Sequence, residues 1–562
     1  MTWSQTYDPF GSPLLSTVAA ALPLVVLLSS IGLFHLRAHV AALLGLAVAV
    51  SVAVLGFGMP SALAARAAAF GAAYGLLPIG WIILNIIFLY RLTTERGQFD
   101  VMRESIARVT GDSRLQLLLI AFCFGAFFEG AAGFGAPVAV TGAMLIGLGF
   151  TRLQASGLSL IANTAPVAFG ALGTPTVTLA AVTGLPLADL SAMIGRQMVP
   201  FSLLVPFWLL VAYCGVRRTL EVWPAALVVG VTFSLTQLAV SNLHGPWLTA
   251  VVSAIVSMAA LMTLLRFWQP KKSMTVGDAV LSRGDERPEN TVATSDRSGA
   301  ASAAPIQPTS QAVRLAWTPW IILTVLVFLW GLPSIKSLLD GIFRLSIHFT
   351  GLDNAIQRVP PVVAAPALEP AVYNLNLLSA TGSAILLSAV ISGFLLGARP
   401  AQIAATYLRS LRIVTPSLIT IAAMLALGYL TRFSGIDATM GLAFAATGVF
   451  YPFFGTMLGW LGVAVTGSDT ASNVLFGGLQ KVTSEQLGLS PTLMASANSA
   501  GGVMGKMVDA QSIVVASTAT QWFGQEGRIL RYVFFHSLAL GSLVGLTVAL
   551  QAYVWPFTLL VP

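Results

Sequence analysis

Of 562 residues, 56% are hydrophobic and 9% are charged; soluble proteins carry about 25% charged residues. Apolar runs near 20 residues long recur along nearly the whole length, which excludes a water-soluble fold and makes the chain an all-α polytopic membrane protein. The net charge of +8 reads as basic residues gathered on one side of a bilayer, not as affinity for nucleic acid.

Residues 1–13 hold one charge, Asp8, and no basic run, so a cleaved signal peptide is not expected. Crossings follow at about 14–34, 39–57 and 67–90. Residues 91–115 alternate charged and apolar groups, as an interfacial helix does. The tract at about 116–149 contains Phe128-Glu129-Gly130-Ala131-Ala132-Gly133-Phe134-Gly135-Ala136-Pro137. A carboxylate in hydrocarbon costs on the order of 3 kcal/mol, and irregular backbone at that depth needs protein or a water cavity around it. The tract is therefore expected to be a re-entrant hairpin, entering and leaving on one side. Glu129 has two readings: proton exchange with a transported species, or a bond to backbone N–H groups of a broken helix. Gly130, Gly133 and Gly135 let the backbone bend and approach a ligand closely. No strand pattern precedes them and no Lys-Ser/Thr follows, so they do not form a nucleotide loop.

The next crossing, about 153–182, holds Asn163 and Thr164 just before Ala165-Pro166, where a helix is expected to break. Crossings at about 197–216, 222–241 and 247–265 lead to residues 270–312. That stretch is rich in Ser, Thr, Ala, Pro and charge, the composition of a disordered linker. A crossing at about 317–335 precedes an outer segment, 336–372, read as a surface cap or short amphipathic helices, with a gating role as the alternative. Two more crossings are expected at about 373–397 and 413–431.

A second tract, about 440–480, contains Thr466-Gly467-Ser468-Asp469-Thr470-Ala471-Ser472-Asn473 and is read as a second hairpin. So many adjacent polar side chains suit coordination or hydrogen bonding; the plainer reading is a helix N-cap. The crossing at about 490–518 holds Asn498 and Ser499 before Ala500-Gly501-Gly502, then Lys506 and Asp509. The latter two, three residues apart, share a helical face. They are either a mutually neutralised pair or a lysine that attracts a substrate carboxylate. A final crossing spans about 530–556. The five histidines fall mostly at span ends, with no metal-ligand spacing, and both cysteines, Cys123 and Cys214, read as inert buried thiols. No metal or cofactor is expected.

With the N-terminus outside, 21 of the 29 basic residues fall on the cytoplasmic side and 7 outside, with Lys506 inside a span. This positive-inside split puts both termini outside and the linker inside. The first three crossings, a hairpin and two crossings then begin from outside; the last three before the second hairpin, that hairpin and the final two begin from inside. The expectation is twelve crossings and two re-entrant hairpins in two inverted repeats: 1–216 and 313–562, joined by a helix pair in 217–269 and the linker 270–312. Broken hydrophobic segments at matching places in such repeats point to substrate near the midplane. The N-terminal ends of broken helices favour an anion.

The chain resembles the bacterial L-lactate permease family from end to end. The most specific stretches are Cys123–Pro137, Asn163–Ala171, Gly459-Trp460-Leu461-Gly462 and Thr466–Thr470, with Gly505-Lys506-Met507 and Gln511-Ser512. The resemblance implies symport of a small 2-hydroxymonocarboxylate, L-lactate, D-lactate or glycolate, with a proton across the bacterial inner membrane. It also implies similarity to a wider superfamily with elevator-like motion. One departure stands out: the family pattern after Met507 is Ile-Ser-Pro, and this chain has Val508-Asp509-Ala510. Asp509 is therefore not carried over as a family residue. The substrate-contacting candidates are Gly130, Gly133, Gly135, Asn163, Thr164, Ser468, Thr470, Asn473, Asn498, Ser499 and Lys506. The proton-coupling candidates are Glu129, Asp469 and Asp509. The alternative transport reading is a sodium-coupled carboxylate carrier, since Asp469 and its hydroxyl neighbours also suit a cation. A membrane enzyme acting on lipid-borne substrates finds no nucleophile or metal pattern to support it. A monomer and a homodimer are both compatible with the sequence.

Overall fold

A chain in hydrocarbon must satisfy its backbone N–H and C=O groups internally, and helices do this segment by segment. The computed structural model describes residues 2–562 apart from 33, 35, 108, 134, 135, 277–308, 364, 523 and 524. Most of the linker expected at 270–312, and Gly135, therefore lie outside the described residues. Among those described, ten helical runs are long and apolar enough to cross a membrane, or eleven if one strongly bent pair counts as a crossing.

Helices α1 (Pro13–Gly32) and α2 (Ala38–Ser51) are followed by α3 (Ser61–Tyr74) and α4 (Trp81–Glu95). A π-helical turn at Gly75–Gly80 joins the last two, and Leu77 ahead of Pro78 leaves helical geometry there. The crossing expected at 67–90 is thus one interrupted run of 35 residues. The short helix α5 (Gln98–Ala107) occupies the charged interval.

The first polar tract is a hairpin. One arm runs from α6 (Ser113–Leu117) through a π-helical stretch into α7 (Gly125–Ala131), and the other is α8 (Ala136–Gly147). Helix α9 (Arg152–Ala162) follows, and after an irregular interval α10 (Gly170–Thr183) leaves at a bend of 63°. Three long helices complete this half: α11 (Leu187–Thr219), α12 (Trp223–Leu243) and α13 (Thr249–Phe267).

The second half opens with α14 (Ser310–Gly331) and the short α15 (Pro333–Ile342). The segment expected as a cap contains small strands. β1 (Trp3–Ser4), from the N-terminal segment, pairs in parallel with a strand at Ile356–Arg358, which pairs antiparallel with Ala367–Leu368. Leu345–His348 pairs antiparallel with Val372–Leu375. The crossing expected at 373–397 is accordingly shorter: its first residues belong to a strand, and α16 covers Thr381–Leu395. Helix α17 (Pro400–Ser434) is long, and α18 (Ile436–Phe444) precedes the second hairpin, α19 (Tyr451–Thr466) and α20 (Asp469–Gln486). The crossing expected at 490–518, with a break signalled at Ala500-Gly501-Gly502, stays helical there and breaks later, between α21 (Pro491–Gly505) and α22 (Ala510–Ala519), before α23 (Glu526–Tyr553).

Two packing features fix the site. Helix α17 lies directly on α3: a Cβ on Gly71 would sit 2.3 Å from the carbonyl oxygen of Leu425, and one on Gly75 would sit 2.7 Å from the Cα of Ala422. Only glycine allows backbones this close. The base of the first hairpin is held by Arg114, which is fully buried. Its guanidinium pairs with Asp112 at 2.8 Å and Glu221 at 2.7 Å, and donates to the carbonyls of Arg218 and Lys272.

Candidate substrate site

Each polar tract meets the helix break that follows it in sequence. Glu129 lies in the last turns of α7 and is nearly fully buried. Its Oε2 accepts a hydrogen bond from Asn163 Nδ2 at 3.0 Å. Asn163 caps the C-terminus of α9, so the break supplies the partner for the hairpin's carboxylate. Helix α10 then begins through three consecutive left-handed residues, Ala171, Leu172 and Gly173, at φ 42°, 54° and 74°. Left-handed non-glycine residues cost on the order of 1–3 kcal/mol each and cluster at functional sites. Ala171 packs on the first tip, its Cβ 3.2 Å from where a Cβ on Gly133 would be.

In the second half, α19 stops at Gly467, whose φ of 71° turns the chain. Ser468 caps α20, accepting from the Ala471 N–H at 3.2 Å. Asp469 is the first residue of that helix, and its Oδ2 accepts from the Ser499 hydroxyl on α21. The other oxygen, Oδ1, is buried with no hydrogen-bond partner among the described residues. Lys506 follows directly on α21; its ammonium donates to the Gly467 carbonyl at 2.5 Å and lies 3.4 Å from Asp509 Oδ2. The shared helical face expected for Lys506 and Asp509 is corrected by the break after Gly505. Asp509 is the N-cap of α22, its Oδ1 accepting from the Ser512 N–H at 2.7 Å, and the two side chains meet across the gap. Lys506 also acts electrostatically on both Glu129 and Asp469.

These groups border one cavity of about 170 Å³. Of the sequence candidates, Glu129, Gly133, Ser468, Asp469, Thr470 and Lys506 line it. The other described candidates form a layer behind them. Gly130 faces α13, where a Cβ would come within 2.8 Å of the Val251 nitrogen. The Thr164 hydroxyl donates to the Ile161 carbonyl. Asn473 donates to the Pro175 carbonyl of α10 at 3.2 Å, and Asn498 to Asn473 Oδ1 at 2.9 Å. Ser499 holds Asp469, and Asp509 stands behind Lys506. Asn473 thus ties α20 to the α10 backbone, while Asn163 and Asn498 bond other side chains, so these buried amides are partnered within the protein.

The sequence reading missed several cavity residues: Thr174, Thr466 and Gln511, and a stripe on α17 comprising Ser417, Thr420, Ile421 and Met424. That stripe had a readable signal, because positions i, i+3, i+4 and i+7 lie on one helical face. Leu27 of α1 and Ala42 of α2 close the same apolar side. The cavity thus has a polar wall from the tips and breaks and a largely apolar wall from α1, α2 and α17.

A family model described as L-lactate permease matches residues 16–555. The glycolate permease GlcA of Escherichia coli is 43% identical over 99% of both chains. The L-lactate permease of Bacillus subtilis is 42% identical over 99% of both, and that of Escherichia coli is 40% identical over 98% of both. Among solved structures, the YdaH transporter of Alcanivorax borkumensis aligns over 86% of each chain at 14% identity, with a TM-score of 0.46. With matches that run nearly from end to end, the chain is a multi-pass permease, not an enzyme, and belongs to the L-lactate permease family.

Proposed function

We propose that the protein takes up lactate or glycolate together with a proton across a bacterial inner membrane. Relatives named for those two substrates, at 40–43% identity over nearly the whole chain, support the substrate. The observation that carries the coupling is the charge inventory of the cavity. Among its described lining residues Lys506 is the one lysine or arginine, while Glu129 and Asp469 are both acidic. Lys506 is already engaged by Asp509. An entering carboxylate finds no surplus positive charge beyond the favourable end of α20. A proton taken up at Glu129 or Asp469 offsets the added charge. It also makes the step electroneutral, removing an opposition of roughly 2.3 kcal/mol per 100 mV to an anion entering a negative interior. Proton and substrate then raise each other's affinity by the same factor.

The order hairpin, then broken helix, recurs in both halves. This supports the inverted-repeat reading of 1–216 and 313–562. We further propose an elevator-like movement of the tips and breaks against the wall of α1, α2 and α17.

The test is uptake of labelled L-lactate into proteoliposomes. Accumulation should follow an imposed pH gradient and be unchanged when sodium is replaced by choline. Glu129→Gln or Asp469→Asn should lose gradient-driven accumulation, and the variant that keeps substrate exchange identifies the coupling group. Accumulation that follows sodium and ignores pH would make this a sodium-coupled carrier. Normal pH-driven accumulation in both single variants would move the proton elsewhere, with Asp509 the next residue to test.

A further inference from the structure

The polar and apolar walls of the cavity come from different groups of helices. Glu129, Asp469 and Lys506 stand on hairpin tips and a helix break. Facing them, α17 presents Ser417, Thr420, Ile421 and Met424 along one face. This face changes character along its length. Two hydroxyl residues come first, then two buried aliphatic ones. The Thr420 hydroxyl donates to the Pro416 carbonyl at 2.8 Å, which leaves its oxygen lone pairs able to accept. Leu27 of α1 and Ala42 of α2 extend the aliphatic end.

The wall is also held firmly. Gly71 and Gly75 bring the α3 backbone against Leu425 and Ala422 of α17, so α17 has no room to retreat toward α3. A wall that cannot yield measures size, because close-packed side chains tolerate an added methylene poorly.

A 2-hydroxymonocarboxylate carries three different groups near C2: a carboxylate, a hydroxyl, and a hydrogen or alkyl substituent. The carboxylate suits Lys506 and the positive end of α20. We propose that the α17 face selects the rest: Ser417 and Thr420 meet the 2-hydroxyl, and Ile421 and Met424 bound the space for the C2 substituent. This assignment rests on the lactate and glycolate reading above. It adds the residues that decide which members of that class are accepted.

The experiment compares uptake of glycolate, lactate, 2-hydroxybutyrate and 2-hydroxy-3-methylbutyrate by the full chain in proteoliposomes, with propionate as the acid lacking a hydroxyl. Ratios between substrates measured on one preparation do not depend on how much protein is present. Met424→Ala should raise the uptake of 2-hydroxybutyrate relative to lactate by about tenfold, the low end of what a methylene is worth in an apolar pocket. Thr420→Val should reduce the preference for lactate over propionate by a similar factor. Ile421→Val, a smaller change, serves in place of Met424→Ala if that variant does not assemble, and should shift the 2-hydroxybutyrate ratio in the same direction. Ratios within about twofold of the parent in Met424→Ala, or in Ile421→Val where it stands in, overturn the size assignment. An unchanged lactate-to-propionate ratio in Thr420→Val overturns the hydroxyl assignment. If the parent protein transports none of these acids, it is the substrate reading that fails; a parent that transports lactate with unshifted variants fails only the α17 assignment.

Discussion

Lys506 joins the two parts of the second half that break: it donates to the last carbonyl before the hairpin turns and pairs with the cap of the next helix. An ammonium has three donors, and the hydrogen bond to the Gly467 carbonyl uses one, which leaves donors for a substrate oxygen. Hydrogen bonds to charged groups contribute about 1.5–3 kcal/mol, so Lys506→Gln should raise the half-saturation concentration for lactate by roughly ten- to a hundredfold. Uptake kinetics at matched membrane abundance measure this, and parent-like kinetics would remove Lys506 from the site. Gly467 has a similarly tight position: a Cβ there would come within 2.8 Å of Asp509 Oδ1 on a backbone at φ 71°. At this scale the sequence showed which residues were chemically out of place in an apolar tract. It did not show which of them face the cavity. Thr470 lines it and Asn473, one turn on, reaches Pro175 instead, because the packing of α20 against α10 decides which side of the helix is covered.

Arg114 shows how an element is anchored. Its buried guanidinium gathers Asp112, Glu221 and two carbonyls, one from the last turn of α11 and one from the segment after α13. Removing one partner of a buried ionic group strands the others and costs about 3–5 kcal/mol. Arg114→Met should therefore lower the thermal midpoint of the detergent-purified protein markedly. Arg103→Met, at a half-exposed pair with Asp100, should change it little, since exposed pairs contribute about 0–1 kcal/mol. Equal midpoints for the two variants would show that the hairpin base does not depend on Arg114. Element positions were broadly readable because apolar length is what a bilayer demands. Element ends were less so. The tract from 373 looked like the start of a crossing, yet Val372–Leu375 pairs with Leu345–His348; a short apolar run fits a strand or a helix, and only its partner decides.

Across the whole molecule, the basic-residue split predicts both termini outside and the 270–312 segment inside. In a background with Cys123 and Cys214 replaced, a cysteine at Thr2 should react with an impermeant thiol reagent on intact cells, and one at Ser302 should react only after the membrane is opened. Labelling of Ser302→Cys from outside would reverse the topology. The sequence by itself determined the membrane class, the places of the two polar tracts, and the acidic and basic groups buried in or near them, because burying charge or bare backbone in lipid is costly enough to mark those residues in any context. Only the tertiary structure decided that Asn163 serves Glu129, that Ser499 serves Asp469, and that α17 supplies the facing wall. Those pairings join residues tens to hundreds of positions apart, and their geometry follows from how helices pack, which no local pattern encodes.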